Sequence, residues 1–167
     1  MHVVDVEFAR LSDISVAFLL GRIGAYVLWD SRAKARPSYV GEGNILKRLV
    51  EHIERFALPL DGYVGPLNEP TWQRAKAHAE IVEALLLEVA YRTDRRPSVN
   101  VAPGKLRRLD AIFRSHGTLR VNVRGFDPLI PPRVARPIAG VKQIVLRDFT
   151  DDTVLLEHDW RFRRRLQ

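Results

Sequence analysis

The spacing of apolar and polar positions changes several times along this chain, and each change marks an element. Residues 3–8, Val-Val-Asp-Val-Glu-Phe, partly alternate and predict a short edge strand. Ser12 is placed to cap a helix over 13–20, with Gly21 and Gly24 bracketing its exit. The apolar, β-branched and aromatic run 24–29 predicts a strand, 30–37 a polar basic connection, and 38–41 a second strand that closes a hairpin. From Asn44 to about Phe56, residues Ile45, Leu46, Leu49, Val50 and Ile53 fall on one stripe of a helix. A third strand is expected over 58–65, although two prolines and two glycines between 59 and 66 work against a ladder.

Asn68 or Thr71 is placed to cap a long helix running to Arg92, and the run Ala84 to Leu87 makes that helix apolar on nearly all sides, hence a buried spine. Pro97 ends it, and a short return brings Asn100 back towards it. Beyond Pro103-Gly104 the pattern predicts a basic helix over 105–115, then a strand over 119–124 with Arg120, Asn122 and Arg124 on one face. A proline-rich crossing follows. Strands over 143–149 and 153–160 then join at Asp151-Asp152 as a hairpin.

These elements predict an α+β fold: a core over 1–103 with a small antiparallel sheet flanked by helices, and a basic β-rich extension over 104–167 packed on it. At 167 residues the chain is long enough to bury a core without staples. Cysteine is absent, which removes disulfides, thiolate metal sites and a cysteine nucleophile, and suits a reducing, cytoplasmic location. The apolar run Val16 to Leu20 is too short to span a bilayer, and Asp5, Glu7 and Asp13 weigh against a signal peptide, so no membrane association is expected.

Charge sharpens the picture. The net charge is +7, yet residues 1–104 carry 13 Lys and Arg against 13 Asp and Glu, so the surplus lies in 105–167, with 14 against 7. A basic surplus confined to one region points to a polyanionic partner.

Four features fall in order: Gly24-Ala25-Tyr26 on a strand, Tyr39-Val40-Gly41 on the next, Arg48 and His52 one turn apart on the following helix, and Glu88 on a buried helix followed by Pro97 and Asn100. Together they resemble the GIY-YIG nuclease superfamily over roughly residues 22–101. The run Glu83 to Glu88 is similar to the matching helix of UvrC-type repair nucleases. Ala25 stands where a bulkier apolar residue is usual, and the loop from Gly41 to Arg48 is one residue shorter than in common members.

The resemblance implies hydrolysis of phosphodiester bonds with Mg²⁺ or Mn²⁺. Glu88 would hold the ion, which keeps several waters and needs few protein ligands. Arg48 would clamp phosphate oxygens through its planar fork, with Lys47 as the neighbouring cation whose register competes with it. Tyr26 would accept or orient the proton of the attacking water, assisted by Tyr39 and His52, with His52 the alternative base. Asn100 would fix geometry by hydrogen bonds. Glu80 and Glu83 are rival ligands, and the spacing to Pro97 and Asn100 selects Glu88.

Ordinary roles stand beside these. Tyr26 and Tyr39 also suit sheet packing, Arg48 and His52 suit a solvated helix face, and Glu88 suits an ion pair with Arg92 at i+4. His78, His116 and His158 show no metal-ligand spacing and are expected at the surface or in caps. The expected function is a DNA endonuclease of restriction, defence or mobile-element type, acting as a homodimer to cut both strands. Arg120, Arg124, Arg133, Arg136 and the cluster Arg163, Arg164 and Arg165 would contact phosphates. The alternatives are a nucleic-acid-binding module of the same fold with little or no catalysis, and a nuclease or toxin directed at RNA.

Overall fold

A computed structural model of the chain describes residues 1–30, 36–56, 61–99, 117–147 and 155–157. The expected basic helix over 105–115, Asn100, and the arginines at 163–165 lie outside the described residues. The fold is α+β. Its seven described strands are β1 (His2–Arg10), β2 (Ile23–Trp29), β3 (Tyr39–Asn44), β4 (Asp61–Pro66), β5 (Thr118–Gly125), β6 (Lys142–Arg147) and β7 (Leu155–Glu157). They form one sheet in the order β3-β2-β4-β1-β5-β6-β7. The helices are α1 (Val16–Leu19), α2 (Ile45–Phe56) and α3 (Trp72–Arg92).

The small antiparallel sheet expected of the core is therefore corrected. The C-terminal strands continue the same sheet, which is mixed because β1 and β5 run parallel. β1 is an interior strand, not the expected edge. Its first seven residues pair with β5 from His2 opposite Leu119 to Phe8 opposite Gly125, and its last two, Ala9 and Arg10, pair antiparallel with β4. Alternation explains both faces: Val4, Val6 and Phe8 are buried, while Val3, Asp5 and Glu7 are exposed.

The helix expected over 13–20 is a 3₁₀ turn over Leu11–Asp13 followed by the single turn α1, whose cap is Ser15 accepting from the Phe18 N–H, and not Ser12. The hairpin of β2 and β3 forms as expected, with Tyr26 opposite Gly41 and Leu28 opposite Tyr39. β4 lies between β2 and β1 in the interior of the sheet despite its glycines. Its Gly62 and Gly65 are positions where neighbours leave no room for a side chain. A Cβ on Gly62 would meet the Val27 carbonyl oxygen at 2.0 Å, and one on Gly65 would meet the Val6 and Phe8 side chains under 3 Å.

The long helix α3 is capped by Thr71, whose hydroxyl accepts from the Arg74 N–H at 3.2 Å. It packs on one face of the sheet against Val4, Val6, Phe8, Ala25, Val27, Trp29 and Tyr63. The opposite face carries the smaller cluster Leu19, Tyr26, Leu28, Ile45, Leu49 and Val64, built around α2. β2 is buried along its whole length because both faces are covered.

Four contacts strap the proline-rich crossing to this core. The Trp29 indole donates to the Pro128 carbonyl at 3.1 Å, the Tyr63 hydroxyl to Ile130 at 2.6 Å, Arg95 to Leu129 at 2.8 Å and Arg10 to Ala135 at 2.5 Å.

Candidate functional site

Tyr26, Tyr39 and His52 meet on the α2 face of the hairpin. Tyr26 and Tyr39 stand two residues apart in the ladder on one face of the sheet, and their rings stack at 6.1 Å between centroids. His52 comes from α2, with its ring centroid 4.3 Å from that of Tyr39 and its Nε2 2.9 Å from the Tyr26 hydroxyl. Gly41 makes the arrangement fit. A Cβ there would fall 2.5 Å from the Tyr26 hydroxyl and 2.6 Å from the Tyr39 ring. The space beside this glycine is thus filled by the two phenols.

α2 follows β3 without a loop, and Asn44 caps it by accepting from the Lys47 N–H at 3.1 Å. The helix is rotated from the stripe its sequence predicts: Ile45, Leu49 and His52 face the sheet, while Val50 and Ile53 are each 45% exposed. His52 thereby becomes 7% exposed, ruling out the solvated-face alternative for it. Arg48 is the cation directed at the site. Its guanidinium acts on Tyr26, Tyr39 and His52, its Nε lies about where a Cβ on Gly43 would be touched, at 3.5 Å, and Glu51 holds it at 2.9 Å. Lys47 is exposed on the helix surface.

Burial raises the pKa of Tyr26, and the neighbouring Tyr39, Glu83 and Glu42 raise it further, against the lowering effect of Arg48. Tyr39 is raised by burial and then by Glu83. His52 is lowered, first by burial and then by Arg48. Near neutral pH the cluster therefore holds two intact phenols beside an uncharged imidazole.

Two carboxylates act on both phenols, Glu83, 1% exposed on α3, and Glu42 of β3. Glu88 sits elsewhere on the helix, where the Arg92 guanidinium donates to it at 2.6 Å. The ordinary alternative for Glu88 is thus the observed one. Glu80 lies one turn from Lys76 at 3.7 Å. Glu42, between the two glycines of β3, points to the α3 side, where Lys76 donates to both of its oxygens. Among the described residues no group of three or more His, Cys, Asp or Glu side chains is placed to hold a metal ion.

Residues Ser98 and Val99 return to the hairpin, donating to the carbonyls of Pro37 and Ser38 at 3.1 and 2.9 Å, just before Tyr39. Asn100 follows directly but lies outside the described residues.

The basic candidates of the last third separate into two places. Arg120 and Arg124 share a sheet face with Asn122, but this face also carries Asp5 and Glu7 of β1; Asn122 donates to Asp5 at 3.0 Å and Arg124 approaches it at 4.0 Å. It is the same side of the sheet as Tyr26, with β5 three strands from β2, roughly 14 Å. Arg133 and Arg136 are exposed on the crossing between β5 and β6. No helix of the described residues is long and apolar enough to cross a membrane. No family model, curated protein or solved structure matches the chain.

Proposed function

We propose that this chain is a nuclease of GIY-YIG type that hydrolyses DNA phosphodiester bonds with Mg²⁺ or Mn²⁺. The observation that carries it is the convergence of Tyr26, Tyr39, His52 and Arg48 around Gly41, with Glu83 acting on both phenols. Phenols, a neutral imidazole and a guanidinium form a set suited to handling a water proton beside a phosphate.

Tyr39 is the half-buried phenol and Tyr26 the fully buried one, so Tyr39 is placed to meet the attacking water. Tyr26 and His52 stand behind it. With Nε2 of the imidazole unprotonated, the Tyr26 O–H donates to it, and His52 serves as the final proton acceptor. That assignment moves the water-contacting role from Tyr26 to Tyr39 and makes His52, the alternative base of the resemblance, the base. Arg48 leaves Glu51 to clamp a phosphate oxygen.

The donor chemistry fits a hard dication. Glu83 is a buried carboxylate whose charge acts on both phenols from the α3 side of the sheet, and Mg²⁺ asks for one or two carboxylates plus water and phosphate oxygens. Glu83, whose charge acts on both phenols, is the holder proposed in place of Glu88. When bound, the ion supplies charge stabilisation at the phosphate and a lowered pKa for water.

The test is incubation of plasmid DNA and of single-stranded RNA with the protein and Mg²⁺ or Mn²⁺, beside Glu83→Gln, Glu88→Gln and Tyr39→Phe. Loss of cleavage in Glu83→Gln and Tyr39→Phe with retention in Glu88→Gln is expected. Loss in Glu88→Gln alone restores the ligand that the sequence selects. Binding without cleavage under either ion overturns the enzyme in favour of a binding module, and preference for RNA moves the substrate.

A further inference from the structure

His78 was expected at the surface, and is instead 4% exposed on α3, inside a chain of polar contacts that spans the sequence. Its Nδ1 lies 2.6 Å from Glu69 Oε1, and the second oxygen of Glu69 is held by the Arg74 Nε at 2.9 Å. Its Nε2 lies 3.1 Å from Nε2 of His2, at the start of β1, with the two rings edge to face at 78°. A proton on His78 Nδ1 donates to Glu69, an arrangement that presents Nε2 of the same ring to His2.

A carboxylate on Nδ1 with Nε2 turned towards a second imidazole nitrogen is the outer support that metal-bound histidines carry. A hydrogen bond between the rings needs only one proton, and does not need that support. We propose that His2 and His78 form a binding site for an imidazole-preferring dication of the Zn²⁺ class, with Glu69 as its positioning residue.

The geometry is close to what such an ion needs. Zinc–nitrogen bonds of about 2.0–2.1 Å in a tetrahedral site place two ligand nitrogens about 3.4 Å apart. The observed 3.1 Å requires a shift of about 0.3 Å, which the half-buried His2 ring can make. Two protein ligands leave the other positions to water, which makes this an open site. Imidazole nitrogens select Zn²⁺, Ni²⁺ or Cu²⁺ over Mg²⁺, so the ion proposed at Glu83 and this one are chemically distinct. Bound metal would clip the first residue pairs of β1 to α3 and raise the protein's stability by mass action.

The test is titration of the whole chain with Zn²⁺ by calorimetry, with Co²⁺ absorption as a geometric readout and ring ¹⁵N shifts identifying the ligands. One equivalent should bind and shift both Nε2 resonances. His2→Gln should weaken it at least tenfold, Glu69→Gln by about 10–100-fold, and Glu83→Gln should leave it unchanged. If His78→Gln fails to fold, the less buried His2→Gln and the ring shifts in the unaltered protein decide. Zinc affinity that survives both His2→Gln and Glu69→Gln, or Nε2 resonances that do not move at saturation, overturns the site.

Discussion

Gly41 lies directly opposite Tyr26 in the β2–β3 ladder, and a Cβ on it would fall 2.5 Å from the Tyr26 hydroxyl. That oxygen also faces His52, so it cannot move without losing its 2.9 Å contact with Nε2. Gly41→Ala should therefore separate Tyr26 from His52 and spread the stacked phenols. Overpacking of this kind costs about 1–3 kcal/mol. Urea denaturation should register that loss, and cleavage should fall well beyond what the lost stability explains. Unchanged activity in a destabilised Gly41→Ala protein would separate the phenols from the chemistry.

The hairpin, α2 and α3 were legible because their signals are local: a period, a cap, a proline. β1 was misplaced at an edge because its parallel partner β5 is far along the chain, and an alternating strand gives no hint of which neighbours it will find. β4 was weak because its glycines resemble turn punctuation, while Gly62 and Gly65 are there to let neighbours approach. Within the candidate site, the resemblance named Tyr26, Tyr39, Arg48 and His52, which the structure brings together. It named Glu88 through its spacing to Pro97 and Asn100, whereas the effect of Glu83 on both phenols depends on how the helix is rotated and leaves no mark in the sequence. The contact of His2 with His78 crosses 76 positions and has no sequence signature at all.

His52 carries a pH dependence whose sign is fixed. Its folded pKa is depressed below the usual value of about 6.5. Between those two values the unfolded chain binds more protons than the folded one. Stability should thus fall as pH drops below about 6.5 and level off once pH passes beneath the folded pKa. Urea midpoints from pH 8 to pH 5, compared with those of His52→Gln, isolate this contribution. Cleavage should decline in the same direction, since a protonated Nε2 no longer accepts from Tyr26. A midpoint difference independent of pH would remove His52 from the titrating set.

Arg48 is held by Glu51 at 2.9 Å, and both side chains are about half exposed. A phosphate must compete with this carboxylate. Exposed pairs are weak, so Glu51→Gln should tighten DNA binding by at most about fivefold, lowering KM with little change in kcat. Glu54→Gln removes the same charge from an exposed position of α2 and serves as the control. Equal effects of the two substitutions, measured at matched salt, would reduce the role of Glu51 to general charge.

Asp127 and Lys142 form a 2.6 Å ion pair with both side chains under a tenth exposed, and Asp127 also accepts from the Leu129 N–H at 3.0 Å. The pair joins β6 to the crossing that Trp29, Tyr63 and Arg95 strap to the core. Removing one partner leaves the other charge buried. Lys142→Met should cost about 3–5 kcal/mol. The double change Asp127→Leu with Lys142→Met relieves the stranded carboxylate and gives up the Leu129 hydrogen bond, about 1 kcal/mol. The double variant should therefore be more stable than the single one in urea, an order that no sum of independent losses reproduces. Cleavage in the double variant should match that of the unaltered protein once both are folded, because neither residue reaches the Tyr26 cluster. If Lys142→Met alone proves no worse than the double change, then Asp127 in the folded chain has found protons or water in place of its partner.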